Sequence, residues 1–154
     1  MGTETERKFL VVSDGWKAGA VGTRYRQGYL SFQPAVRVRI AGDQGYLTIK
    51  GPPQGMSRPE FEYPIPLEDA LLLLETLCHK PLIEKTRYRV PYGGHIWEVD
   101  VFEGENRGLV VAELELPSEQ TPACWPDWVG AEVSDDPRYA NASLVQHPYS
   151  EWGP

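Results

Sequence analysis

Cysteine is scarce in this chain of 154 residues. Cys78 and Cys124 are the only two, and neither has a CxxC partner. That is too few for a disulfide framework, so a reducing, cytoplasmic setting is the expectation. Histidine is almost as rare. His79, His95 and His147 are scattered without ligand spacing and read as surface or turn residues. Long apolar runs are missing: the longest, Ala70–Leu74, falls far short of the roughly 20 residues a membrane span needs. The first residues, MGTETERKF, lack a basic segment followed by an apolar one, so no signal peptide is expected. Glu6 stands where a myristoylation signal has Ser or Thr. No GxxxxGK[ST] loop occurs, and Pro52–Gly55 reads as an ordinary loop. A basic excess is lacking too: the net charge is −7, which argues against a general nucleic-acid binder.

What remains is ordinary globular composition, 41% hydrophobic and 24% charged, and a length that suits a single domain over residues 1–154. Extended segments dominate. Strands are expected at 3–11, 23–30, 35–41, 46–50, 57–65, 82–91, 95–103 and 109–116, with hairpin turns at Gly42–Gly45 and Gly93-Gly94. One helix is expected at 67–78, with Glu68 and Asp69 in its first turn and Pro81 after it. Its leucines would cover an open surface of the sheet. Beyond Leu116 prolines interrupt the chain, and Trp125, Trp128 and Trp152 would pack it back onto the body.

Charge alternates along nearly every strand. Glu4, Glu6 and Lys8 are two apart, as are Arg24 and Arg26, Arg37 and Arg39, Glu60 and Glu62, Lys85, Arg87 and Arg89, Glu98 and Asp100, and Glu113 and Glu115. Residues two apart share one face of a strand. With Lys50 and Arg58, that face would collect ten basic and eight acidic side chains, including two thirds of all Lys and Arg. Any one such strand reads as a solvated outer face. The set reads otherwise, because Ser, Thr, Asn and Gln are almost absent from it and the signs are blocked by strand. Eight antiparallel strands can close into a barrel. If the ionic faces point inward, dry burial of eighteen charges is prohibitive, so the lumen must be wet and must hold a charged ligand. Ten cations suit a chain of phosphates. The carboxylates would repel it unless hard divalent cations, Mg²⁺ or Mn²⁺, bridge the two.

These residues resemble the CYTH domain, also called the triphosphate tunnel metalloenzymes. ETERK (4–8) fits the ExExK signature, and RQGYL (26–30), RVR (37–39), LTIKGP (47–52), SRPEFEYPI (57–65), EKTRYRV (84–90), WEVDVFEG (97–104), LVVAELELPSE (109–119) and EVSDDPRYANASL (132–144) follow in the family's order. The resemblance implies a mainly β (α+β) fold: an eight-stranded antiparallel barrel tunnel with a charged lumen and a few helices outside. It implies Lys8, Arg37, Arg39, Lys50, Lys85 and Arg87 as phosphate ligands, with Arg26, Arg58 and Arg138 as weaker candidates. It implies Glu4, Glu6, Glu60, Glu62, Asp100, Glu113 and Glu115 as ligands of the metals or of their waters. Lys8 with Tyr29, helped by the Glu4 and Glu6 metal, would orient or deprotonate the attacking water. The compact length and Tyr29 resemble the inorganic triphosphatase branch, and the resemblance implies cleavage of triphosphate into pyrophosphate and phosphate with Mg²⁺ or Mn²⁺, two ions being expected. An adenylate cyclase, a nucleoside or thiamine triphosphatase and a non-catalytic polyphosphate-binding module remain alternatives. The expected partner is a small polyanion, inorganic triphosphate or ATP, with no nucleic acid and no membrane. The oligomeric state stays open, a homodimer included.

Overall fold

In the computed structural model, which describes residues 2–52, 57–118 and 120–153 (without the side chains of 2–4 and 57), the alternating segments fold as one antiparallel sheet. Its strands are β1 (Gly2–Val11), β2 (Val21–Phe32), β3 (Ala35–Ala41), β4 (Gln44–Lys50), β5 (Ser57–Ile65), β6 (Ile83–Tyr92), β7 (His95–Phe102), β8 (Val110–Leu116) and β9 (Val129–Glu132). The spatial order is β5-β4-β3-β2-β6-β7-β8-β1-β9. The sheet curls until its ends meet: Gly2–Thr5 of β1 pair with Ser57–Glu60 of β5. The rest of that seam is not laddered, because β1 turns from β5 to β9 and pairs Phe9 with Glu132 and Val11 with Val129. The result is the expected tunnel with eight strands around it. The ninth strand, drawn from the proline-broken stretch, was not foreseen.

The intervening apolar residues clothe the outside. Phe9, Trp97, Val99, Ala112 and Leu114 of β1, β7 and β8 are covered by Trp16 and Trp128. Each such side chain taken fully out of water is worth about 1.5–3 kcal/mol, so the tryptophans hold the connecting loops to the barrel wall. The helix α1 (Leu67–Thr76) lies across β3 and β4 as expected, burying Ala70 and Leu74 against Val38 and Ile40. Its neighbour Cys78 approaches β2 so closely that a Cβ on Gly28 would lie 2.8 Å from the Cys78 Cβ. Only glycine allows that contact. Among the described residues no helix is long and apolar enough to cross a membrane.

A second helix, α2 (Asn141–Gln146), does not pack outside. Its Leu144 and Val145 join Ile83, Phe102 and Val111 in a buried cluster. Those three sit in phase with Lys85, Asp100 and Glu113 on their strands, so α2 fills one end of the tunnel from within.

Candidate active site

Above this plug lies a cavity of about 340 Å³. One wall is basic. Arg37 and Arg39 come from β3, Lys50 from β4 and Arg87 from β6, with Arg58 of β5 at the rim. The opposite wall is acidic: Glu98 from β7, Glu113 and Glu115 from β8, and Glu6 from β1, where Lys8 also enters. Strand register makes the pattern. Glu6 lies opposite Glu115, and Lys8 opposite Glu113, which also lies opposite Glu98. Directly opposed residues of an antiparallel pair share a face, so the carboxylates are crowded together by the ladder itself.

The cations are placed by partners and by one another. Arg37 Nη2 donates to Thr48 Oγ1 at 3.3 Å and lies 3.7 Å from Glu62. Its Nε is buried without a protein partner. Lys50 meets Glu60 at 3.0 Å. Arg58 Nε donates to the Gly51 carbonyl at 3.0 Å. Burial, with Arg37 and Arg87 alongside, lowers the Arg39 pKa to about 10, which still leaves it charged at neutral pH. The ring of Tyr25 stands among these charges, 4.8 Å from Arg39, 5.1 Å from Arg87 and 5.9 Å from Lys85. An aromatic face attracts each of them and keeps them apart. Burial works against the charge on Glu113, but Arg87, Lys8 and Lys85 outweigh it and hold the carboxyl well below its usual range.

Several expected residues sit elsewhere. Lys85 and Asp100 are fully buried in a layer beneath the cavity, bonded to each other at 2.8 Å. Both Asp100 oxygens are taken by Arg87 and Lys85, so Asp100 points into the barrel but braces cations beneath the cavity and does not line it. Burial pulls the Lys85 ammonium down to about 7, with Asp100 resisting. Arg26 faces away from the lumen. On β2 it is Tyr25, Gln27 and Tyr29 that point inward, because Tyr25 opposes Lys85 and Gln27 opposes Arg39. The outward phase suits Arg24, which pairs with Glu84 at 2.9 Å and Glu103 at 3.2 Å. Arg138 is exposed, engaged with Asp136 at 2.7 Å and stacked 4.8 Å from the Trp152 ring, and does not line the cavity. Tyr29 lines it, stacked on Phe32. Lys8 and Tyr29 share no hydrogen bond, however: Lys8 Nζ donates to the Tyr139 carbonyl at 3.0 Å and lies 3.7 Å from Glu113. The Glu4 side chain lies outside the described residues.

Tyr25, Gln27 and Asn141 belong to the site or its support, and the charge pattern did not select them; Glu98, which was in the charged set but not among the implied ligands, lines the cavity as well. Only the inward phase of β2 could have pointed to the first two. Asn141 follows a change of composition in which no periodicity was visible.

The whole arrangement matches a known family. The CYTH domain profile fits residues 2–149. The chain belongs to the CYTH domain family. An inorganic triphosphatase of Acetivibrio thermocellus is 53% identical over 154 residues, covering 99% of both chains. One of Nitrosomonas europaea is 37% identical over 93% of this chain and 97% of its own. A crystal structure of an inorganic triphosphatase superposes with a TM-score of 0.66 at 33% identity, over 91% of this chain and 95% of that one.

Membership of the CYTH family implies a divalent metal. Among the described residues, no group of three or more His, Cys, Asp or Glu is arranged to hold one unaided. The opposed carboxylates Glu6 and Glu115 nonetheless offer hard oxygen donors in a cavity also lined by Arg37, Arg39 and Lys50. That donor set fits Mg²⁺-type binding, in which one or two carboxylates are completed by substrate oxygens and water.

Proposed function

We propose that this protein hydrolyses inorganic triphosphate to pyrophosphate and orthophosphate with the help of divalent Mg²⁺ or Mn²⁺, two ions being the working number. The observation that carries this reading is the ionic lining of one cavity: Arg37, Arg39 and Lys50 on β3 and β4, Glu6, Glu98, Glu113 and Glu115 on β1, β7 and β8, and Arg87 between them, ion-paired with Glu98 and Glu113. The inorganic triphosphatases at 53% and 37% identity support it. The reaction takes P₃O₁₀⁵⁻ and water to P₂O₇⁴⁻, HPO₄²⁻ and a proton.

Cavity size suits the substrate, since about 340 Å³ has room for a short chain of phosphates. Arg37 lines the cavity and would offer its guanidinium to a phosphate oxygen. Arg39 and Arg87, held on either side of Tyr25, stabilise charge on the transferring phosphoryl group and on the departing pyrophosphate, which is most of what phosphoryl transfer needs. Lys8, anchored by the Tyr139 carbonyl, adds a cation at the acidic wall. Glu6 and Glu115 would hold one ion, and Glu60 and Glu62, with Glu4, would serve the other. Bound there, the metal supplies charge neutralisation and an acidified water. Tyr29, which lines the lumen wall, would orient that water.

One feature favours a second substrate class. A recess of about 410 Å³, lined by Phe32, Pro34, Pro52 and Ala35 and bordered by Lys50 and Arg58, adjoins the cavity. It would receive the organic group of a nucleoside triphosphate. The test is incubation with tripolyphosphate, ATP and pyrophosphate, each with Mg²⁺, Mn²⁺ or EDTA, and assay of phosphate and cyclic AMP. Metal-dependent phosphate release from tripolyphosphate supports the proposal. Cyclic AMP from ATP replaces it with a cyclase, and binding without turnover replaces it with a polyphosphate-binding module.

A further inference from the structure

Two neutral amides lie in a layer otherwise made of charges. Gln27 is fully buried on β2 and Asn141 opens α2. Gln27 Oε1 accepts from Arg39 Nε at 2.8 Å. Gln27 Nε2 donates to Asn141 Oδ1 at 3.2 Å, and Lys85 Nζ donates to the same oxygen at 3.1 Å.

Amide orientations are normally ambiguous. Here both ends of the chain settle them. Arginine carries donors and no acceptor, so Arg39 must meet the Gln27 oxygen, and protonated Lys85 likewise meets the Asn141 oxygen. The Gln27 nitrogen then points at that same oxygen and agrees with the choice. The Asn141 carboxamide is therefore locked with Oδ1 downward, onto two residues that do not line the cavity. Its Nδ2 has no partner among the described residues, and Asn141 itself lines the cavity.

We infer that Asn141 is a substrate-binding residue, whose Nδ2 donates to a non-bridging phosphate oxygen of triphosphate while its Oδ1 positions Lys85. This rests on the triphosphatase reading above and adds to it a residue supplied from outside the barrel strands. A neutral donor has a specific use here. It satisfies a phosphate oxygen without adding to the repulsion among Arg37, Arg39 and Arg87, which already lowers the Arg39 pKa. It also couples the plug to the site: α2 brings both the donor and the acceptor that holds Lys85.

Steady-state kinetics on tripolyphosphate with the full chain test this. Asn141→Ala removes the donor, and Asn141→Asp keeps the acceptor but puts an anionic oxygen at the donor's place. A hydrogen bond to a charged group is worth about 1.5–3 kcal/mol, so Asn141→Ala should raise KM by about tenfold or more, and Asn141→Asp further. The Asp variant keeps the bonds to Lys85 and Gln27, so its melting temperature should stay close to wild type. A residue that acted only in packing would shift melting and leave this ordering of KM absent. A KM within twofold of wild type in Asn141→Ala overturns the inference.

Where a variant fails to fold, the wild type answers instead. In EDTA, saturating tripolyphosphate should shift the assigned Asn141 Nδ2–H₂ signals in a ¹H–¹⁵N spectrum, and unmoved signals overturn the proposal. If the wild type binds tripolyphosphate without cleaving it, the catalytic reading falls while this contact is still decided by the spectrum. If it cleaves tripolyphosphate and the signals stay still, the contact alone falls.

Discussion

Arg87 and Asp100 meet side-on, Nε to Oδ1 at 2.7 Å and Nη2 to Oδ2 at 2.8 Å, and the pair is buried beneath the cavity. Lys85 shares the second oxygen. Replacing Asp100 by Asn would leave two buried cations short of their counter-charge. Breaking a buried pair in this way costs about 3–5 kcal/mol, and at roughly 2–4 °C per kcal/mol for a chain of this size melting should fall on the order of 10 °C. Thermal unfolding followed by circular dichroism checks it. An unchanged melting temperature would show that the brace carries no weight.

Acid should loosen the same layer. Burial disfavours the Asp100 charge, but Arg87 and Lys85 outweigh it and hold its pKa below the usual value, as Arg87 and Lys8 do for Glu113. A carboxylate whose pKa is lower in the folded chain binds fewer protons there than when unfolded. Its contribution is therefore complete above about pH 5 and is lost as the pH falls through the folded value. Melting temperature should drop as the pH falls below the ordinary carboxylate range of about 4, and the slope should be shallower in Asp100→Asn. Equal slopes would count against the assignment.

The phase of β2 predicts a contrast between arginines. Arg37→Ala should raise the KM for tripolyphosphate by about tenfold or more, the loss expected for a charged hydrogen bond. Arg26→Ala, on the opposite face, should stay within twofold. Comparable losses in both would mean that β2 presents its other face to the lumen.

For the metal, Glu6→Gln combined with Glu115→Gln removes two opposed carboxylates that the ladder holds together. The Mn²⁺ concentration giving half-maximal turnover should rise by at least tenfold while the far-ultraviolet spectrum is unchanged. EDTA should abolish turnover in the wild type. Activity insensitive to both treatments would place the metal elsewhere or dispense with it.

Much of this was legible in advance because ionic alternation is a loud signal. Arg37 and Arg39 on β3 and Glu113 and Glu115 on β8 were placed on the inner face by spacing alone. The same signal failed on β2. There the charged residues, Arg24 and Arg26, point outward, and the inward residues, Tyr25, Gln27 and Tyr29, are not among the residue types the charge pattern follows. Phase depended on register against Lys85 and Arg39, which lies between strands and not within one. Asp100 was read as a ligand because a sequence cannot show that two neighbours will use both its oxygens. The floor was invisible for a different reason: α2 has six residues, too few for a periodicity to emerge.

All eight strands of the tunnel precede Pro117 in the chain, whereas the Tyr139 carbonyl and the Asn141 carboxamide that meet Lys8 and Lys85 come after it. A nascent polypeptide can thus assemble its wall before it owns a floor. Ribosomal synthesis would deliver an empty shell first and a competent triphosphate trap only once the segment around Asn141 has emerged and docked.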